Sequence, residues 1–154
     1  MKLAKTLSLL TLFVLVVPGV HAACTNATAA GTYGFTTTGT LIPPTGPAPV
    51  AAVGSITFDL NGNTTGSQDR SVGGVFAHET IKGTLTVNRD CTISLLANVY
   101  DDAGNLVRTS MIPGVLVNNG KRIRAMFESV LLPNGVSLPS ALTVEADRVQ
   151  GHSE

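Results

Sequence analysis

The alternation of apolar and polar side chains is clearest in residues 78–100, which read HETIKGTLTVNRDCTISLLANVY. Before a polar turn at 88–90, Ile81, Leu85 and Val87 fall on one side of an extended chain. After the turn the same period of two resumes, with Ile93, Leu95, Ala97 and Val99 on one side. Because successive side chains point to opposite faces of a strand, this stretch predicts two antiparallel β-strands, each with one buried face.

The same period continues on both sides of this hairpin and predicts eight strands in an all-β domain. No segment after residue 22 shows the period of about 3.6 that is typical of an amphipathic helix. Strands joined by short turns pair antiparallel. The predicted strands are 32–41, 50–60, 64–71, 78–88, 91–100, 105–117, 121–131 and 142–146.

The connections favour a closed, eight-stranded antiparallel up-and-down barrel. Tight turns at 61–63, 88–90 and 118–120 join alternate strand pairs, so they would lie at one end. The longer loops would lie at the other end, and closure would remove exposed sheet edges. A two-sheet β-sandwich is the alternative. The longer loops are 42–49, 72–77, 101–104 and 132–138.

Residues 1–22 are typical of a signal peptide. Lys2 and Lys5 precede an apolar run at 7–17, and a small residue, Ala22, ends the segment. The run is shorter than the roughly 20 residues that span a bilayer. We therefore expect residues 23–154 to form one secreted or periplasmic domain without a membrane span after cleavage. A membrane anchor and a lipid-modified Cys24 are the alternatives.

The chain has two cysteines, Cys24 and Cys91. In an oxidising compartment two cysteines most simply form one disulfide. Cys91 opens the predicted fifth strand and Cys24 precedes the first, so both would lie at the tight-turn end. We expect the N-terminal segment to cover that end of the barrel, held by the disulfide.

The charge of the chain gives no reason to expect a nucleic acid as partner. Ten Lys and Arg balance ten Asp and Glu, and loss of Lys2 and Lys5 would leave a formal charge of −2. A nucleic-acid-binding protein would instead show a basic patch or an excess of positive charge. Partner proteins and the oligomeric state are not indicated by any pattern in the chain.

No motif indicates a catalytic, metal or cofactor site. His78 is a lone histidine in outward register, and zinc needs three or four converging ligands. Residues 59–63, Asp-Leu-Asn-Gly-Asn, resemble the start of a calcium loop. That loop would continue with Gly and Glu where this chain has Thr64 and Arg70, and a hairpin turn with Asx hydrogen bonds explains the same residues.

The start of the first strand, Gly31-Thr32-Tyr33, resembles the Gly-x-Trp of calycins, the superfamily of lipocalins and avidins. In calycins an Arg of the last strand packs over that aromatic ring, so the resemblance implies that Arg148 stacks on Tyr33. The chain is also similar to a group of uncharacterised secreted bacterial proteins with calycin-like barrels, in segments 31–35, 57–63, 83–88 and 90–92. The resemblance implies a calycin-like barrel and no particular activity.

The inward register predicts a site for a small apolar ligand. Eight-stranded barrels are either filled by side chains or hold one small ligand. We expect no acidic side chain on the inward face, and its small residues favour internal space: Gly39, Ala52, Gly54, Gly83, Ala97 and Ala125. The predicted walls of the site are Phe35, Ile56, Phe58, Leu95 and Phe127.

Access to this site is expected at the long-loop end, because the other end has only tight turns. The predicted mouth is formed by Ile42, Phe76, Leu132 and Leu138, beside Pro43, Pro44 and Pro133. The alternative function is an envelope or surface-interaction protein with a filled core and no small-molecule ligand.

Overall fold

Nine β-strands and one helical turn make up residues 23–149, the part of the chain that the structure, a computed structural model, describes. The expected signal peptide, residues 1–22, and residues 150–154 lie outside it. No helix within 23–149 is long and apolar enough to cross a membrane. The elements are α1 Asn26–Ala29, β1 Gly31–Leu41, β2 Ala48–Phe58, β3 Asn63–Val72, β4 Val75–Val87, β5 Thr92–Tyr100, β6 Leu106–Val117, β7 Arg122–Met126, β8 Ser129–Leu131 and β9 Ser140–Arg148.

Eight of these strands close into an antiparallel barrel. Strands β1 to β7 pair in chain order, β9 pairs with β7, and the β1–β9 ladder closes the ring. The short β8 stands outside this ring; it pairs with β6, and its Leu131 forms an isolated bridge with Ser137. The structure therefore confirms the predicted up-and-down barrel, and the sandwich alternative was wrong.

Two predicted segments are organised differently. The expected loop at 72–77 is a two-residue turn, because Gly73 and Gly74 both take positive φ and let β3 and β4 continue to the turn. The predicted seventh strand, 121–131, is divided into β7 and β8. The division occurs where Phe127 N–H donates to Leu142 and Glu128 N–H donates to Met111, so the chain changes partner strands.

The N-terminal segment covers the tight-turn end of the barrel. Cys24 and Ala29 are buried, and Cys24 is bonded to Cys91 with their Cα atoms 5.0 Å apart. The side chain of Asn26 accepts a hydrogen bond from Val87 N–H at 3.0 Å. The predicted disulfide and the covering role of this segment are both confirmed, and the bond is compatible with an oxidising compartment.

Some small residues allow strands to approach closely and do not leave internal space. A Cβ atom on Gly54 would overlap the carbonyl oxygen of Ser67, and one on Gly83 would overlap that of Leu96. Neither glycine has a positive φ, so each is required by the close contact between neighbouring strands. The expectation that these positions widen the interior was therefore wrong.

Candidate functional site

Two cavities occupy the interior of the barrel. The inner cavity, of about 60 Å³, is lined by all five side chains predicted as walls: Phe35, Ile56, Phe58, Leu95 and Phe127. The outer cavity, of about 240 Å³, lies towards the long-loop end. It is lined mainly by aliphatic side chains of the barrel and of the segment before β9. Thr37 and Phe127 line both cavities, so the two spaces adjoin.

The structure brings only two of the four residues predicted for the mouth to a cavity. Leu132 and Leu138 line the outer cavity, whereas Ile42 and Phe76 line neither cavity. Phe76 lies in β4, in the outward register of His78, and 68% of it is exposed. Ile42 is also exposed, and its N–H donates to the Pro139 carbonyl. The placement of Phe76 was wrong because the two-residue glycine turn extends both strands.

Four side chains form a polar layer where the two cavities meet: Gln68, Arg70, Glu79 and Arg108. The Glu79 carboxylate accepts hydrogen bonds from Arg70 Nε at 2.5 Å and from Gln68 Nε2 at 2.7 Å. It also accepts from Arg108 Nη1 and Nη2 at 2.8 and 2.7 Å. Gln68 and Arg108 line both cavities, which places the polar layer at their boundary.

The expectation of an inward face without acidic side chains was wrong. Glu79 is only 1% exposed, and it shares the inward register of Ile81 and Leu85 on β4. The alternation itself could have revealed this, since Glu79 lies two residues before Ile81. A carboxylate in that register must be paired to be buried, and this requirement points to inward arginines.

The charge of the polar layer follows from the ionisation of Glu79. Burial by itself would raise the pKa of Glu79, but the hydrogen bonds and charge of Arg108, with Arg70 and Gln68, outweigh burial and lower it to about 2. Glu79 is therefore ionised at neutral pH, when arginine side chains are always protonated. Two guanidinium groups face one carboxylate, so the layer carries a net charge of +1.

Ser110 places an unpaired hydroxyl beside the inner cavity. It is 1% exposed, and its Oγ is the buried side-chain polar atom that lacks a hydrogen-bond partner within residues 23–149. Its strand neighbours are Ala97 and Val130, which offer no polar side chain. A buried hydroxyl without a partner costs about 1–3 kcal/mol, and Ser110 is one of the residues that line the inner cavity.

Tyr33 and Arg148 seal the opposite end of the barrel. The Arg148 guanidinium lies 5.1 Å from the centre of the Tyr33 ring, and its Nη2 donates to Tyr33 Oη at 2.7 Å. Arg148 also donates to the Thr28 and Gly120 carbonyls. Burial raises the pKa of Tyr33, partly opposed by Arg148. These bonds join the N-terminal segment, the β6–β7 turn and β9 across this end of the barrel.

Two polar groups that the sequence singled out, His78 and Asp59, have local structural partners outside the barrel interior. His78 Nδ1 lies 2.8 Å from Asp69 Oδ1 on the outer face, and this hydrogen bond raises the pKa of His78. The Asp59 carboxylate accepts hydrogen bonds from Asn61 and Asn63, as the Asx-turn interpretation requires. Within the described part of the chain, no three or more His, Cys, Asp or Glu side chains are grouped to hold a metal.

Comparison with known proteins adds no further indication of the site. No model of a protein family matches this chain, and no curated protein matches its sequence. The candidate site is therefore defined by the barrel itself: two adjoining cavities, the polar layer between them and the Ser110 hydroxyl.

Proposed function

We propose that this protein is exported and binds one small, mostly apolar molecule inside a calycin-like barrel. The observation that carries the proposal is the Ser110 hydroxyl, which is buried without a partner beside a cavity with apolar walls. A filled core would be expected to pair this group or to exclude it, because unpaired buried polar groups are rare in folded proteins. A ligand that places a polar atom in this cavity would supply the missing hydrogen bond.

The sizes of the cavities suggest how such a ligand would be distributed. The inner cavity, at about 60 Å³, has room for roughly two water-sized groups and not for a ring, since a cavity that holds benzene measures about 150 Å³. The outer cavity, at about 240 Å³, would take the larger part. Binding would be driven by apolar burial, worth about 25 cal/mol per Å².

The ligand would reach the cavities from the long-loop end of the barrel. Arg148 and Tyr33 close the other end, and the disulfide from Cys24 holds the N-terminal segment over it. Leu132 and Leu138 border the outer cavity and would be the first side chains to meet the ligand. Export is supported by the sequence of residues 1–22 and is compatible with the disulfide.

A surface-interaction protein is the second candidate, and one observation favours it. Val75 and Phe76 are both largely exposed beside the tight turn formed by Gly73 and Gly74. Two adjacent apolar side chains at the tip of a hairpin are suited to contact another surface. In this case the interior cavities would stay without a small-molecule ligand.

The two functions are separated by filling the outer cavity. Ala52→Leu adds volume at a residue that lines it, whereas Ala51→Leu adds the same volume on the outer face of the same strand. We expect saturable binding of the neutral fluorophore N-phenyl-1-naphthylamine by the wild type and by Ala51→Leu, and at least tenfold weaker binding by Ala52→Leu. Circular dichroism would check that each variant is folded. Equal binding by all three proteins, or no binding, would favour the surface-interaction protein.

A further inference from the structure

We propose that the bound molecule is an apolar carboxylic acid and that Arg70, supported by Arg108, binds its carboxylate in the outer cavity. This inference rests on the proposed function and names the chemical class of its ligand. It follows from the charge, the free donors and the apolar walls found around the polar layer.

The charge around the cavities is positive and is only half balanced. Within residues 23–149, the charged side chains that line either cavity are Arg70 and Arg108. Glu79, which is 1% exposed and lines neither cavity, neutralises one of these two positive charges. The side chains of Arg70 and Arg108 are 25% and 16% exposed, so both charges are partly desolvated, and a partner of opposite sign stabilises such a charge. An anion in the outer cavity would complete this pairing.

The arginine side chains also differ in the donors that they leave unused. Arg108 directs both Nη atoms at Glu79, whereas Arg70 uses only its Nε. No described residue accepts a hydrogen bond from the Nη atoms of Arg70, and its side chain lines the outer cavity. Two parallel N–H groups of one guanidinium match the two oxygens of a carboxylate. Arg70 therefore offers a bidentate site at the inner limit of the outer cavity.

The surroundings of Arg70 distinguish an apolar acid from a small inorganic anion. Between the polar layer and the long-loop end, the walls of the outer cavity are aliphatic. They include Leu41, Val50, Val72, Val107, Leu132 and Leu138. An inorganic anion would leave these side chains uncovered. A molecule with a carboxylate at Arg70 and a hydrocarbon part along these walls would use both features.

The first test compares two molecules with the same chain length, decanoate and decanol. Displacement of N-phenyl-1-naphthylamine would be measured at about pH 8, where a carboxylic acid is ionised. Wild type should bind decanoate about tenfold more tightly than decanol, which corresponds to one hydrogen-bonded charge pair. Arg70→Gln should reduce this preference to about twofold or less. Arg124→Gln, on the outer face of β7, is the matched control and should keep it.

A second pair of variants tests the charge without removing the binding residue. Glu79→Gln raises the net charge of the polar layer from +1 to +2, so the preference for decanoate should increase several-fold. Asp69→Asn changes the charge of the whole chain equally, but on the outer face, where Asp69 contacts His78. It should leave the preference unchanged.

The outcomes separate this inference from the proposed function. Equal binding of decanoate and decanol by the wild type would overturn the anionic ligand and leave apolar binding in place. Binding of neither decanoate, decanol nor the fluorophore would overturn both. A decanoate preference that survives Arg70→Gln and is lost in Arg124→Gln would show that the carboxylate binds outside the barrel.

Discussion

The carboxylate of Glu79 accepts hydrogen bonds from both Nη atoms of Arg108, at 2.8 and 2.7 Å, across the interior of the barrel. Glu79 lies on β4 and Arg108 on β6, so the pair bridges two strands that are not neighbours in the sheet. Two parallel bonds fix the guanidinium in one orientation. The pair therefore sets the position of the polar layer and the division of the interior into two cavities.

The ionised form of Glu79 should stabilise the fold above about pH 4.5. Its pKa falls from 4.5 to about 2 on folding, so the stabilisation is complete above the unfolded value and is lost as pH falls towards about 2. The difference corresponds to about 3 kcal/mol. Urea unfolding between about pH 7 and 2 should show a steeper acid loss for the wild type than for Glu79→Gln. Identical pH profiles would contradict this role.

Removing the Arg108 side chain should lower the free energy of unfolding far more than removing that of an exposed arginine. Arg108→Met leaves Glu79 buried with fewer partners, and breaking a buried ion pair costs about 3–5 kcal/mol. Arg122 bonds Asp147 at 2.6 Å on the outer face, where water screens both charges, so Arg122→Met should lower the free energy of unfolding far less. Urea unfolding at neutral pH measures both free energies. Similar losses in the two variants would show that the polar layer contributes no more than a surface pair.

Tyr33 and Arg148 should be energetically coupled. A guanidinium over an aromatic ring contributes about 0.5–2 kcal/mol, depending on how far it is desolvated. A double-mutant cycle with Tyr33→Leu and Arg148→Met should show a coupling energy in this range. Repeating the cycle with Arg122→Met in place of Arg148→Met should give none. Additive effects of Tyr33→Leu and Arg148→Met would show that the contact between these side chains does not stabilise the closed end.

The disulfide should stabilise the whole domain. It joins residues 67 positions apart, and a closed loop of this length corresponds to about 4 kcal/mol in the chain-entropy description. The Cys24→Ala, Cys91→Ala double variant should unfold at a correspondingly lower urea concentration. Thiol labelling of the unreduced wild type should find no free cysteine. Two labelled thiols in protein recovered from an oxidising compartment would contradict the bond.

Much of the fold could be predicted because period-two alternation reports directly on strands with one buried face. The alternation on both sides of the 88–90 turn, with Ile81 and Leu85 before it, predicts a hairpin. The tight turns between alternate pairs of strands then predict the order of the strands around the barrel. The prediction of a loop at 72–77 was wrong because two adjacent glycines suit either a loop or a two-residue turn. Only the pairing of β3 with β4 decides between them.

The candidate site was less predictable because it depends on contacts between distant strands. The inward register of the wall residues follows from alternation, and Glu79 could have been found in the same way. Its partner Arg108 belongs to a strand with a register shift opposite Val99 and Tyr100, which no local pattern reveals. Whether the Ser110 hydroxyl finds a hydrogen-bond partner depends on all the residues that surround it in the folded barrel.

The most direct measurement of ligand binding uses the absence of tryptophan from the chain. Phe127→Trp places a single tryptophan on the walls of both cavities, and Val53→Trp places one on the outer face, where Val53 is 58% exposed. N-phenyl-1-naphthylamine would be titrated into each folded variant while tryptophan emission is recorded. We expect saturable quenching with one site per chain in Phe127→Trp and much weaker quenching in Val53→Trp. Equal quenching in both variants, or none in Phe127→Trp, would contradict a ligand inside the barrel.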